Sequence, residues 1–104
     1  MSQFLRIAAV ACLPLLTLPA HAAGDAAAGA AKAAVCIGCH GVDGNSVVPM
    51  FPKLAGQHAA YLETSIKAYQ TQERKGGNAV QMYAMVANLS DQDIADLAAH
   101  FASK

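Results

Sequence analysis

Tryptophan is absent from this chain of 104 residues, and only three phenylalanines and three tyrosines stand in for it. So few large apolar side chains leave a small core hard to fill from the sequence itself. Charge is also sparse. Lys and Arg number 7, Asp and Glu number 7, and the formal net charge is zero, which excludes the strong basic excess of a nucleic-acid binder. Cysteine occurs three times, so no second pair exists to complete a four-ligand structural zinc site. No Ser-His-Asp order, no paired carboxylates and no phosphate-binding glycine loop stand out. There is no internal repeat and no long low-complexity run.

What is present begins with an export signal. Arg6 supplies a positive start, Ile7 to Leu18 form an apolar run interrupted by Pro14, and Ala20-His21-Ala22 is a small-x-small cleavage site. The run is too short and too interrupted for a comfortable membrane span. Cys12 has too little apolar sequence ahead of it, and Leu15-Leu16 continues the run behind it, so a lipoprotein anchor is the poorer reading. Residues 1–22 are therefore expected to be a cleaved secretory signal and residues 23–104 one domain. The expected destination is the periplasm, with no stable membrane insertion after cleavage. Removing 22 of the 104 residues leaves about 82, slightly acidic once Arg6 is gone and less oily than the 55% hydrophobic content of the whole chain suggests.

Cys36-Ile37-Gly38-Cys39-His40 carries the chemistry. Positions i and i+3 share a helix face, so both thiols can reach one edge of a porphyrin and form thioethers to its vinyl groups. The histidine behind them then supplies an axial ligand to the iron. A redox dithiol uses the same spacing but expects a βαβ setting, whereas the flanks here are alanine-rich and helical. A Cys36–Cys39 disulfide would close a very small loop and add little stability. A covalently held haem would also supply the apolar bulk that the side chains lack.

Helical segments surround this motif. Asp25 suits an N-cap for a helix from Ala26 to Val35, in which Gly29 costs stability unless another helix approaches closely. Residues 41–56 hold too many glycines and prolines for regular structure. A second helix starts near Gln57 or His58, with Ala59, Leu62, Ile66 and Tyr69 on one face. Lys67, Arg74 and Lys75 crowd its end and Gly76-Gly77-Asn78 stops it. Ser90 and Asp93 form a variant capping box for the last helix, whose Ile94, Leu97, Ala98 and Phe101 recur at core spacing.

The sixth iron ligand decides function. A thioether raises the potential, a second histidine lowers it, and an open position permits ligand or peroxide chemistry. Met50 lies between prolines in the first loop and reads as packing. Met82 and Met85 lie between the second and last helices, far enough along the chain to come round the opposite haem face. Each also suits core filling. His58 and His100 are rivals with more ordinary surface or capping roles. Spacing alone leaves Met82 and Met85 level.

Taken together, these residues resemble the class I cytochromes c. The likeness is to the small bacterial periplasmic monohaem type (the cytochrome c-553 kind) and to one half of its dihaem relatives. It extends over the whole mature chain. It rests on Gly24-Asp25-Ala26-Ala27-Ala28-Gly29, the Cys36 to Gly41 motif, Pro52-Lys53-Leu54-Ala55-Gly56-Gln57-His58, Glu73-Arg74-Lys75, Met82-Tyr83, and Ala87 to Ala98. The resemblance implies an all-α fold of about three to four helices wrapped around one haem c per chain. It implies His40 and Met82 as iron ligands, with Met85 in reserve. It also implies that the Pro52 carbonyl orients His40 Nδ1, that Leu54 packs on the haem, and that Gly29 lets the first and last helices cross closely. One departure is His100, where relatives usually carry an aromatic packed on the first helix; either Phe101 takes over or that contact weakens.

The function implied is a soluble periplasmic one-electron carrier of the respiratory chain or another redox route, not an enzyme. Its expected partners are redox proteins such as a cytochrome bc complex, a terminal oxidase or a periplasmic reductase or dehydrogenase. The alternatives are a tightly bound electron-transfer subunit of a periplasmic oxidoreductase and a five-coordinate haem sensor or peroxidase. Lys53, Lys67, Arg74 and Lys75 could form a docking face for an acidic partner, although such charges are more often a solvated face.

Overall fold

The structure, a computed structural model, describes residues 9–16 and 23–104. Most of the expected signal, including Arg6 and the cleavage site at 20–22, lies outside the described residues, and residues 9–16 carry neither helix nor strand. Among the described residues every regular element is helical: α1 Ala26–Lys32, α2 Ala34–His40, α3 Ala59–Gln70, α4 Ala79–Val86 and α5 Asp91–Ala102. None of these helices is long and apolar enough to cross a membrane.

The first expected helix is interrupted. Asp25 caps α1 by accepting from the N–H groups of Ala27 and Ala28 at 2.9 and 3.3 Å, which satisfies two otherwise orphaned donors. Ala33 then breaks the run. Its N–H bonds back only to Ala30, and Ile37 N–H restarts the ladder on the Ala33 carbonyl at 3.1 Å. The break sits in the core, where Ala33 is buried with Leu62, Leu97, Ala98 and Phe101.

Scaffold closure occurs where α1 crosses α5. A Cβ on Gly29 would collide with the Asp96 carbonyl and lie 2.7 Å from His100 Cβ; one on Gly24 would strike the Ala95 carbonyl. Only the missing side chains permit this approach, which is the role expected of Gly29. His100 is buried with its Cβ facing Gly29, so it occupies the crossing itself, while Phe101 packs with Ala33 and Leu62. A polar clamp finishes the contact. Asp96 accepts from Lys32 Nζ at 2.6 Å, from the Asp25 N–H at 2.8 Å and from Gln92 Nε2 at 2.8 Å. Lys32 also pairs with Asp93 at 2.9 Å. Lys32, then the Asp25 N–H and Gln92, hold the Asp96 carboxyl down at about 2.

The capping box of α5 is present in both directions: Ser90 Oγ accepts from Asp93 N–H, and Asp93 accepts from Ser90 N–H, each at 3.0 Å. Ile94, Leu97, Ala98 and Phe101 are all buried. Two boundaries differ from the sequence reading. α3 stops at Gln70, well before the glycine pair, because Gln72 adopts a left-handed φ of 58° and the Arg74 N–H closes back on the Ala68 carbonyl at 3.2 Å. The stretch holding Met82 and Met85 is itself helical, α4, and packs on α3.

Candidate haem site

α2, the loop 41–58, α3 and α4 together enclose a cleft of about 550 Å³, within the range of roughly 300–1,000 Å³ usual for cofactor sites. Cys36, Cys39, His40, Pro52, Leu54 and Met82 all line it. Residues spread over more than forty positions of sequence thus share one cavity. Met85 and Met50 line it as well, both largely exposed, whereas Met82 is half-buried. His58 stands at the N-cap position of α3 without a side-chain capping bond, His100 lies in the α1–α5 crossing, and neither borders the cleft.

Local structure explains the arrangement. Both cysteines are free, Cys36 half-buried and Cys39 exposed, on the single turn of α2 that ends at His40. His40 is buried, and its Nδ1 lies 2.7 Å from the Pro52 carbonyl oxygen. A carbonyl only accepts, so Nδ1 carries the proton and Nε2 keeps its lone pair. The loop that delivers this carbonyl is tied down at both ends. Leu54 and Ala55 N–H groups bond the Gly44 carbonyl at 2.8 and 3.2 Å, and the Gly56 N–H bonds the Phe101 carbonyl at 2.9 Å. Gly44 has a φ of 83°, and a Cβ there would sit 2.9 Å from the Phe101 ring, so α5 fixes the loop that in turn fixes His40.

Leu54, Leu62, Ile66, Leu97 and Phe101 make the walls apolar. Burial pushes the Cys36 thiol up from its ordinary value, the reverse of the lowered value that a reactive redox dithiol needs. The donor set therefore fits haem c on its own terms. Two unpaired thiols share a helix face, one imidazole has its outer nitrogen engaged, soft thioethers stand on α4, and the floor is apolar.

Two contacts here have no counterpart in the sequence reading. Gln70 Nε2 donates to the carbonyls of Val86 and Leu89 at 2.9 and 2.8 Å, pinning the end of α4 to α3. Tyr83, next to Met82, donates its hydroxyl to the Arg74 carbonyl at 2.5 Å. The adjacency of Tyr83 to Met82 is a visible signal, but the partners of Gln70 are backbone atoms and leave none.

Residues 26–103 match the family model described as Cytochrome c. Among curated relatives, cytochrome c-554(548) of Halomonas halodenitrificans is 56% identical over 82 residues, which is 79% of this chain and 99% of that protein. Cytochrome c4 of Pseudomonas aeruginosa is also 56% identical, over 86% of this chain, but the match spans only 43% of that longer protein. Among solved structures, reduced recombinant cytochrome c4 from Pseudomonas stutzeri superposes with a TM-score of 0.70 at 46% identity, covering 79% of this chain and 46% of the other.

Proposed function

This chain belongs to the cytochrome c family, a haem-based electron carrier with covalently bound haem c, and from that premise we propose that it is a soluble periplasmic one-electron shuttle with His40 and Met82 as axial ligands. When bound, the haem supplies reversible one-electron chemistry at iron. Cys36 and Cys39 would hold it by thioethers. His40 would present Nε2 as a ligand because the Pro52 carbonyl holds Nδ1–H, which orients the ring. Met82 is preferred over Met85 because it is half-buried while Met85 is 52% exposed. A thioether favours the ferrous state and raises the potential. Leu54 and its apolar neighbours exclude water from the ligands. With His40 and Met82 both holding the iron, no place would remain for a substrate, and outer-sphere electron exchange with another redox protein would be the chemistry left.

The meeting of two free thiols, an oriented imidazole and Met82 on one cleft carries this reading. Optical spectra of the purified protein in both oxidation states test it. A low-spin spectrum with the methionine–iron band is expected. Met82→Ala should abolish that band and admit carbon monoxide. Rapid carbon monoxide binding by the unmodified protein would overturn the carrier reading and favour an open-site sensor or peroxidase.

A further inference from the structure

α4 carries Met82 yet brings little of its own to stay in place. Its eight residues fall short of the roughly 12–15 at which an isolated helix becomes even marginal in water. Asn78, at its N-cap position, makes no side-chain capping bond, whereas Asp25 and Ser90 cap α1 and α5. The chain enters α4 through Gly76 and Gly77, both at positive φ and with nothing within 4 Å of an added Cβ, so no close packing holds that side. Among the described residues α4 packs on α3 and on no other helix to a comparable extent. Met82, Met85 and Val86 border the cleft.

The C-terminal end of α4 is fixed by one side chain. Gln70, half-buried at the last position of α3, donates from Nε2 to the Val86 carbonyl at 2.9 Å and to the Leu89 carbonyl at 2.8 Å. Carbonyls only accept, so both bonds need the NH2 end of the amide, and each of its protons has one partner. The Val86 carbonyl also takes the Leu89 N–H at 3.2 Å, which closes the chain into a turn around that amide. Leu89 immediately precedes Ser90, the N-cap of α5. The end of α3, the end of α4 and the entry to α5 thus meet at a single NH2 group. Val86 is buried and lies four residues after Met82, one turn along the same face. What holds Val86 therefore holds the turn that presents the Met82 thioether. Tyr83 supplies a second restraint through its hydroxyl on the Arg74 carbonyl. That partner belongs to the exposed connection 71–78, so Tyr83 ties α4 to a loop, and Gln70 ties it to a helix.

We infer that Gln70 is a positioning residue for the sixth iron ligand: through the Val86 and Leu89 carbonyls it keeps α4 on α3, and so sets how often the Met82 thioether leaves the iron. This rests on the ligation by His40 and Met82 proposed above. Gln70 does not border the cleft, so it acts only through α4. Loss of its amide leaves two carbonyls without their partner, and α4 then separates from α3 more often. The thioether is as good a ligand as before, but it is presented for less of the time.

The test uses oxidised holoprotein and cyanide, which binds ferric haem only after the methionine has left. At saturating cyanide the binding rate reads that departure. Gln70→Leu keeps the bulk and removes both donors; it should raise the limiting rate about tenfold, with the methionine–iron band still present at neutral pH. Gln70→Lys carries donors long enough to reach both carbonyls and should stay within about twofold of the unmodified rate. Ser90→Ala weakens the fold at α5 without touching the amide; it should lower the denaturation midpoint and leave the rate in that same range. An equal rise in Ser90→Ala and Gln70→Leu would reduce Gln70 to general stability and overturn the inference. Should Gln70→Leu fail to mature, Gln70→Asn, one methylene shorter and unable to span both carbonyls, is judged by the same criteria. The ligation itself is judged on the unmodified protein. If that protein lacks the methionine–iron band, the Met82 reading fails and this inference falls with it. If the band is present and Gln70→Leu binds cyanide no faster, the ligation stands and only the role of Gln70 is lost.

Discussion

The α1–α5 crossing and the cleft are built on opposite terms. At the crossing the chain completes itself: glycines remove side chains where backbones meet, and Asp96 has a protein partner for each contact it makes. At the cleft, Leu54, Met82 and a half-buried thiol surround space that the chain does not fill. A small chain poor in aromatics can close one interface by direct contact, and leaves the other to a large apolar group. The scaffold is thus specified by fit, and the site by what it lacks.

Removing the cofactor's attachment should separate the two regions most strongly. Cys36→Ser with Cys39→Ser is expected to leave no haem on the polypeptide in denaturing electrophoresis and to lower helicity well beyond α2. Retention of native helicity without haem would show that the cleft closes unaided. Next in size is Gly29→Val, which drives a branched side chain into the Asp96 backbone and should cost about 3 kcal/mol in chemical denaturation. Gly38 is its counterpart on the cleft side, with nothing within 4 Å of an added Cβ. Gly38→Ala should be neutral or stabilise by up to about 1 kcal/mol through helix propensity. Equal destabilisation by both variants would erase the contrast.

Acid should weaken the crossing before the cleft. A carboxylate whose folded-state value is depressed stabilises the fold above its unfolded value of about 3.9, and that contribution is lost as pH falls through the folded value, here about 2 for Asp96. The melting temperature should therefore drop from about pH 4 to pH 2. Asp96→Asn should melt lower at neutral pH and show a flatter profile over that interval; a parallel profile would place the acid sensitivity elsewhere. A small effect is expected at the cap of α5. Ser90→Ala removes one half of the capping box and should cost about 1 kcal/mol, with the haem spectrum unchanged.

Much of this was legible because it is local. Asp25 and Ser90 act within one turn of their helices, and the period of Ile94, Leu97, Ala98 and Phe101 follows from helix geometry alone. Gly29 was readable as a close approach, though its partner was not. The breaks at Ala33 and Gln72, and the helicity of residues 79–86, were not legible. Alanine is the strongest helix former, so an alanine run carries no sign of a break at Ala33, a left-handed glutamine has no composition signal, and α4 is held by Gln70 from outside its own sequence.

By itself, the sequence determined the cofactor chemistry: two thiols one helical turn apart with a histidine behind them, a pattern that needs no tertiary context to be read. It also determined the helices that carry their own caps and periodicity. Only the tertiary structure decided that Met82 is more buried than Met85, and that Lys53, Arg74 and Lys75 border the cleft while Glu73 does not. Those outcomes depend on how distant segments meet, and the energies that settle them are packing, burial and pairing between residues that are not neighbours along the chain.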